Sequence, residues 1–81
     1  MRQTSLFAWR ELQPRIGKSQ GAVLVTISFL GKCTDKNIAA SLGWSINRVT
    51  PRRGELVKAG FVIADGVTYQ GGRPATLWRM R

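Results

Sequence analysis

Three glycines divide the centre of the chain into segments whose apolar residues follow different periods. Gly31 and Gly43 each follow a stretch in which apolar residues recur at helical spacing, and Gly60 follows a third. Glycine commonly ends helices because it adopts the left-handed conformation without the steric cost of a Cβ atom. Beyond Gly60 the pattern becomes typical of strands. The sequence therefore predicts three short helices followed by a β-hairpin.

The first predicted helix spans Lys18–Leu30, and Ser19 is in position to cap its N-terminus. One apolar stripe contains Val23, Leu24, Ile27 and Leu30, and a second contains Ala22, Val25 and Phe29. A helix that is apolar on two faces needs two coverings. We expect the second covering to come from the segment 1–17, an N-terminal arm or short helix that carries Leu6, Phe7 and Trp9; a dimer partner is the alternative.

The next two predicted helices are short and close together. Thr34 is placed to cap Asp35–Leu42, and Ser45 to cap a helix from Ile46 to about Ala59. Two helices joined by so short a turn have the spacing of a helix-turn-helix. Because Pro51 lies inside the last of these helices, an alternative is that Thr50 caps a helix that starts at Pro51.

The strand region predicts a hairpin with one irregularity. A first strand begins at Phe61, is kinked or bulged at Asp65-Gly66 and continues to Gln70. Gly71-Gly72 provides a turn with positive φ, and a second strand follows over 75–79, with Trp78 packed on the helices. The fold class is α+β: a three-helix core with a hairpin wing over residues 18–81, preceded by the arm.

Charge is the strongest indication of a partner. Thirteen Lys and Arg stand against four Asp and Glu, which gives a formal net charge of +9. Such an excess attracts polyanions, and each phosphate that is neutralised releases condensed counterions. Nucleic acid is therefore the expected partner. A solubility surface or a patch for an acidic protein is the alternative that charge alone leaves open.

Composition argues against several other classes of protein. The chain has no histidine and one cysteine, Cys33, so no intramolecular disulfide, zinc site or nucleophile–base pair is expected, and neither is a cofactor or a small-molecule ligand. We expect Cys33 to be a small buried apolar residue. The longest apolar stretch, Ala22–Leu30, is too short to cross a bilayer. A non-enzymatic protein of the cytoplasm is the resulting expectation.

Two stretches resemble known proteins. The sequence Ile38–Ser45 (IAASLGWS), followed by Val49, Leu56 and the Ala59–Val62 stretch AGFV, resembles bacterial winged helix-turn-helix regulators, and Gly72–Arg79 is similar to the wing of small phage-encoded members. The resemblance implies a DNA-binding transcriptional regulator or phage accessory protein. Its third helix would enter the major groove, and its wing would contact the backbone or minor groove. Arg53 departs from the pattern, because the family usually buries an apolar residue there.

The candidate DNA-binding residues lie at the start of the second helix, on the third helix and its N-terminal approach, and on the wing. Asn47 is the candidate for a base contact, because its amide can pair bidentately with adenine. The others are expected to contact phosphates or groove edges: Lys36, Ser45, Arg48, Thr50, Arg52, Arg53, Lys58, Gln70 and Arg73. An alternative function is a protein–protein interaction module within a nucleic-acid-processing complex, which Pro51, Gly54 and Arg53 favour. A homodimer or a larger protein partner fits either function.

Overall fold

The computed structural model describes residues 17–81, and their fold is α+β, as predicted. Three helices precede an antiparallel hairpin, which is the layout of a winged helix. The predicted arm, apart from Gly17, lies outside the described residues. The elements are α1 (Lys18–Leu30), α2 (Asp35–Leu42), α3 (Ile46–Lys58), β1 (Val62–Gln70) and β2 (Arg73–Met80).

The core is formed by the inward stripes of the three helices, by Cys33 between α1 and α2, and by the first residue of β1. Burial of each large aliphatic side chain contributes about 1.5–3 kcal/mol. Trp78 packs against this core, which confirms its predicted orientation. The buried apolar residues are Val23, Leu24, Ile27, Cys33, Ile38, Ala39, Val49, Leu56 and Val62.

Helix α1 has the predicted length but a different cap. Its N-cap is Gly17, which has no side chain that could form a capping hydrogen bond. The prediction that Ser19 caps the helix is therefore wrong, because Ser19 already lies within the first turn. Leu30 was expected to be buried, but at the last position of the helix it is 38% exposed. Thr26 is buried instead, and its hydroxyl donates to the Ala22 carbonyl at 2.8 Å, which satisfies the polar group.

The second apolar stripe of α1 is only partly covered by the described residues. Phe29 is 86% exposed and Val25 is 44% exposed. The covering predicted for them falls on residues 1–16, outside the described part of the chain. Among residues 17–81 this stripe is therefore the most exposed apolar face of a helix.

Helix α2 begins with a capping box. The Asn37 amide N–H donates to Thr34 Oγ1 at 3.2 Å, and the Thr34 N–H donates to Asn37 Oδ1 at 3.0 Å. The helix ends at Gly43, which has φ 71° and ψ 27°, a conformation that favours glycine. Both predicted ends of α2 are confirmed.

Helix α3 is continuous through Pro51, so the alternative start at that residue is wrong. Proline has no N–H to donate to the carbonyl of Asn47, and the helix tolerates this loss on its exposed side. Ser45 occupies the N-cap position but makes no side-chain capping bond, which corrects the prediction of a cap. Val49 and Leu56 are buried as expected, and they fix which face of α3 points outward.

The hairpin has the predicted turn and the predicted bulge. Gly71 and Gly72 have φ 60° and 77° between the paired residues Gln70 and Arg73. The register shifts between Ala64 and Val67, where Gly66 has φ 103°. Strand β1 begins one residue later than predicted, and β2 begins at Arg73, because Arg73 and Pro74 already pair with β1.

A backbone bridge fixes the hairpin to the segment before α2. The Cys33 N–H donates to the Trp78 carbonyl at 2.9 Å, and the Trp78 N–H donates to the Cys33 carbonyl at 2.7 Å. Burial, with the nearby Asp35 carboxylate, raises the pKa of the Cys33 thiol to about 11. Cys33 is thus a buried, protonated thiol at neutral pH, as expected for a structural cysteine.

The two N-cap residues provide a matched test of this description. Thr34→Ala removes a capping bond and should lower the free energy of unfolding by about 1 kcal/mol, measured by urea denaturation. Ser45→Ala removes no such bond and should change it by less than about 0.5 kcal/mol. Equal losses for the two variants would contradict the assignment of the caps.

Candidate nucleic-acid interface

Ion pairs divide the cations of residues 17–81 into two groups. Asp65 pairs with Lys32 and Arg79, Glu55 pairs with Arg52, and Asp35 pairs with Arg53. Each of the three acidic residues in this region therefore forms at least one ion pair. The cations that form no ion pair among these residues are Lys18, Lys36, Arg48, Lys58, Arg73 and Arg81.

The outward face of α3 carries polar, positively charged and small residues. Asn47, Arg48, Pro51 and Lys58 are exposed, opposite the buried Val49. Pro51 lies towards the middle of this face, and the cations Arg48 and Lys58 lie towards its ends. An external surface can therefore approach the helix backbone closely.

Arg48 is held in place by an aromatic ring. Its guanidinium lies over the ring of Trp44, 3.7 Å from the centroid. A stacked guanidinium keeps its N–H edge available for hydrogen bonds to an anion, and the stacking limits the rotamers that binding would otherwise have to restrict. Arg48 thus presents an ordered positive charge at the start of α3.

Arg52 is engaged within the protein, although it remains partly exposed. Its Nη2 atom lies 3.0 Å from Glu55 Oε2, and the other oxygen of Glu55 accepts a hydrogen bond from Gln20 on α1. Glu55 therefore links α3 to α1 through polar side chains. The positive charge of Arg52 is largely balanced, in contrast to that of Arg48.

The structure places Arg53 inward, whereas the sequence predicts an outward contact. Its Nε and Nη2 atoms each lie 2.9 Å from an oxygen of Asp35, and its side chain is 17% exposed. The guanidinium also lies over the ring of Trp78, 4.0 Å from the centroid. Thr50 Oγ1 donates to the same carboxylate at 3.0 Å. An ion pair stacked on an aromatic ring thus replaces the apolar residue expected at position 53.

A cleft of about 330 Å³ separates the starts of α2 and α3 from the hairpin, and we call it the wing cleft. It brings together four of the predicted residues, which come from distant parts of the sequence. Lys36 lies on the helical side, Gln70 and Arg73 lie on the hairpin side, and Arg53 lies with Trp78 between them. The other candidates, Ser45, Asn47, Arg48, Thr50, Arg52 and Lys58, do not line it.

The wing also exposes apolar residues that the sequence analysis did not single out. Tyr69 is 73% exposed and Val67 is 61% exposed. They pair with Pro74 and Thr76, so these four residues share one face of the hairpin. Strand alternation is the signal that would have grouped them, but the bulge at Asp65-Gly66 shifts its phase by an amount that sequence alone does not give.

Residues 17–81 contain neither a candidate metal site nor a membrane-spanning helix. No three His, Cys, Asp or Glu side chains in that range lie close enough together to hold a metal ion. No helix in the same range is long and apolar enough to cross a membrane. Comparison of the chain with profiles of known protein families and with characterised proteins found no match.

The two arginine–carboxylate pairs of α3 differ in burial, which predicts a difference in stability. Arg53→Met leaves Asp35 without its partner in a mostly buried position and should lower the free energy of unfolding by about 3 kcal/mol. Arg52→Met breaks an exposed pair and should cost less than about 1 kcal/mol. Urea denaturation of both variants checks this order. Similar losses would show that the Asp35–Arg53 pair is no more than a surface ion pair.

Proposed function

We propose that this protein is a non-enzymatic DNA-binding protein of the winged helix-turn-helix class. In this proposal it acts as a transcriptional regulator or phage accessory protein in the cytoplasm of a bacterial or phage-infected cell. Helix α3 enters the major groove of double-stranded DNA, and the wing follows the backbone or minor groove. A major groove about 12 Å wide accommodates a helix about 10–12 Å in diameter.

The observation that carries the proposal is the distribution of unpaired charge. The two carboxylates on or beside α3, Asp35 and Glu55, are each held by an arginine. Lys36, Arg48, Lys58 and Arg73 therefore keep their positive charge on α2, α3 and the wing. Lysine and arginine side chains that neutralise phosphates supply most of the affinity of non-specific DNA binding.

Gly54 independently supports the proposal that DNA approaches the backbone of α3 closely. Its φ angle is not in the left-handed region, and a Cβ atom placed there would meet no atom of residues 17–81 within 4 Å beyond its own stretch of helix backbone. Neither backbone conformation nor internal packing therefore requires glycine at this position. Glycine in a helix interior is nonetheless less stable than alanine by about 1 kcal/mol. A surface that contacts the helix backbone from outside accounts for that loss.

Arg48 provides the first test of the proposal. Arg48→Met should lower the slope of the logarithm of the binding constant against the logarithm of salt concentration by about 0.9, the contribution of one phosphate. Fluorescence anisotropy with a labelled random-sequence duplex at several salt concentrations measures this slope. Arg79→Met is the matched control, because Arg79 is already paired with Asp65. An unchanged slope for Arg48→Met would show that Arg48 contacts no phosphate.

Gly54 provides a second test, in which stability and binding should change in opposite directions. Gly54→Ala should raise the free energy of unfolding by about 0.5–1 kcal/mol, because alanine is the better helix former. It should also weaken duplex binding, because the new methyl group lies between the helix and the groove. Denaturation and anisotropy on the same sample measure both effects. Increased stability with unchanged affinity would refute close approach at Gly54.

The second candidate function is a protein–protein interaction module within a nucleic-acid-processing complex. The exposed Phe29 and Val25 on α1 favour it, because a contiguous apolar face commonly marks a protein contact. The duplex titration separates the two functions. Salt-dependent binding to random duplexes supports the DNA-binding protein, whereas no binding to any duplex at low salt supports the interaction module.

A further inference from the structure

We infer that the wing cleft is a binding site for one backbone phosphate of a nucleic-acid strand, held jointly by Lys36 and Arg73. The inference rests on the proposed function for the source of the phosphate. Lys36 is the second residue of α2 and Arg73 is the first residue of β2, so the two cations reach the cleft from opposite sides. Both are exposed, and neither has an ion-pair partner among residues 17–81.

The carboxylate in the cleft does not neutralise these two cations. Among residues 17–81, Asp35 is the one acidic residue that lines the cleft, and its oxygens accept two hydrogen bonds from Arg53 and one from Thr50. The lining therefore keeps a net positive charge from Lys36 and Arg73. Two like charges at one cleft repel each other, and an anion bound between them offsets this repulsion by attracting both.

The dimensions and the remaining residues of the cleft fit a single strand. A volume of about 330 Å³ is near the lower end of the range for small-ligand sites, so it accepts a phosphate and part of a sugar but not a duplex. Gln70 adds an amide donor, a common partner of phosphate oxygens. Ile46 and Pro74 provide apolar walls for the adjoining sugar.

The two sides of the cleft are held at a fixed separation. The capping box of Thr34 orders the start of α2, and the pairing of Gln70 with Arg73 orders the base of the wing turn. Between them, Arg53 joins Asp35 to Trp78. The site is therefore formed before the ligand arrives, which reduces the ordering cost of binding.

A double-mutant cycle tests whether the two cations share one phosphate. Lys36→Met and Arg73→Met should each weaken duplex binding about tenfold, the effect of losing one charge-assisted hydrogen bond. The double variant should lose less than the product of the single losses, because the second substitution acts on a contact that the first has already broken. Its salt slope should fall by about 0.9, the value for one phosphate.

The control variant removes the same charge elsewhere. Lys18→Met combined with Arg81→Met deletes two exposed cations that do not line the cleft, and its salt slope should exceed that of the cleft double variant. Two outcomes would overturn the inference. In the first, the losses of affinity in the single variants multiply and the salt slope of the double variant falls by about 1.8, which indicates two separate phosphates. In the second, the cleft double variant loses no more affinity than the control. Urea denaturation verifies that each variant is folded.

A second measurement makes the result independent of duplex binding. The dinucleotide dTpdT carries one phosphodiester, and its titration is followed by NMR through the backbone amides of Lys36 and Arg73. We expect saturable shifts in the parent protein and none in the cleft double variant. If the parent protein binds no duplex, the proposed function fails, and the dinucleotide titration alone then tests whether the wing cleft binds a phosphate. Absence of shifts in the parent would refute the phosphate site.

Discussion

The arrangement of the domain depends on the contact between Asp35 and Arg53. The carboxylate begins α2, the guanidinium projects from the middle of α3, and the ring of Trp78 lies against that guanidinium from β2. Trp78 is in turn bridged through its backbone to Cys33, immediately before the cap of α2. Three elements therefore meet at one bidentate ion pair. The angle between the third helix and the wing is defined by this pair as well as by the apolar core.

This ion pair also determines which charges remain available on the surface. A mostly buried arginine needs an anion beside it, and Asp35 meets that need without neutralising Lys36, its neighbour in sequence. Glu55 balances the charge of the more exposed Arg52 further along α3. The few acidic residues of the described region thus stabilise internal contacts. The positive excess of residues 17–81 is left on their outer faces, where polyanions are attracted.

The sequence predicted the order of elements because each helix end and each turn has a local physical cause. Gly43 and Gly71-Gly72 adopt the positive φ angles that glycine tolerates, and the Thr34 cap is a contact between near neighbours. The inward role of Arg53 was missed, because its partner Asp35 lies eighteen residues away and helical periodicity gives only a direction. The Cys33–Trp78 bridge was missed for the same reason. The cleft depends on both contacts, so it became visible only in three dimensions.

The bulge in β1 has a consequence for self-association. Among residues 17–81 the sheet has two strands, so the outer side of β1 is a row of backbone groups without a neighbouring strand. Such an edge can recruit the same strand of another molecule, particularly where many copies are concentrated along one polymer. The register shift between Ala64 and Val67 bends this edge and interrupts its regular spacing. The irregularity therefore favours molecules that stay separate when they are crowded together.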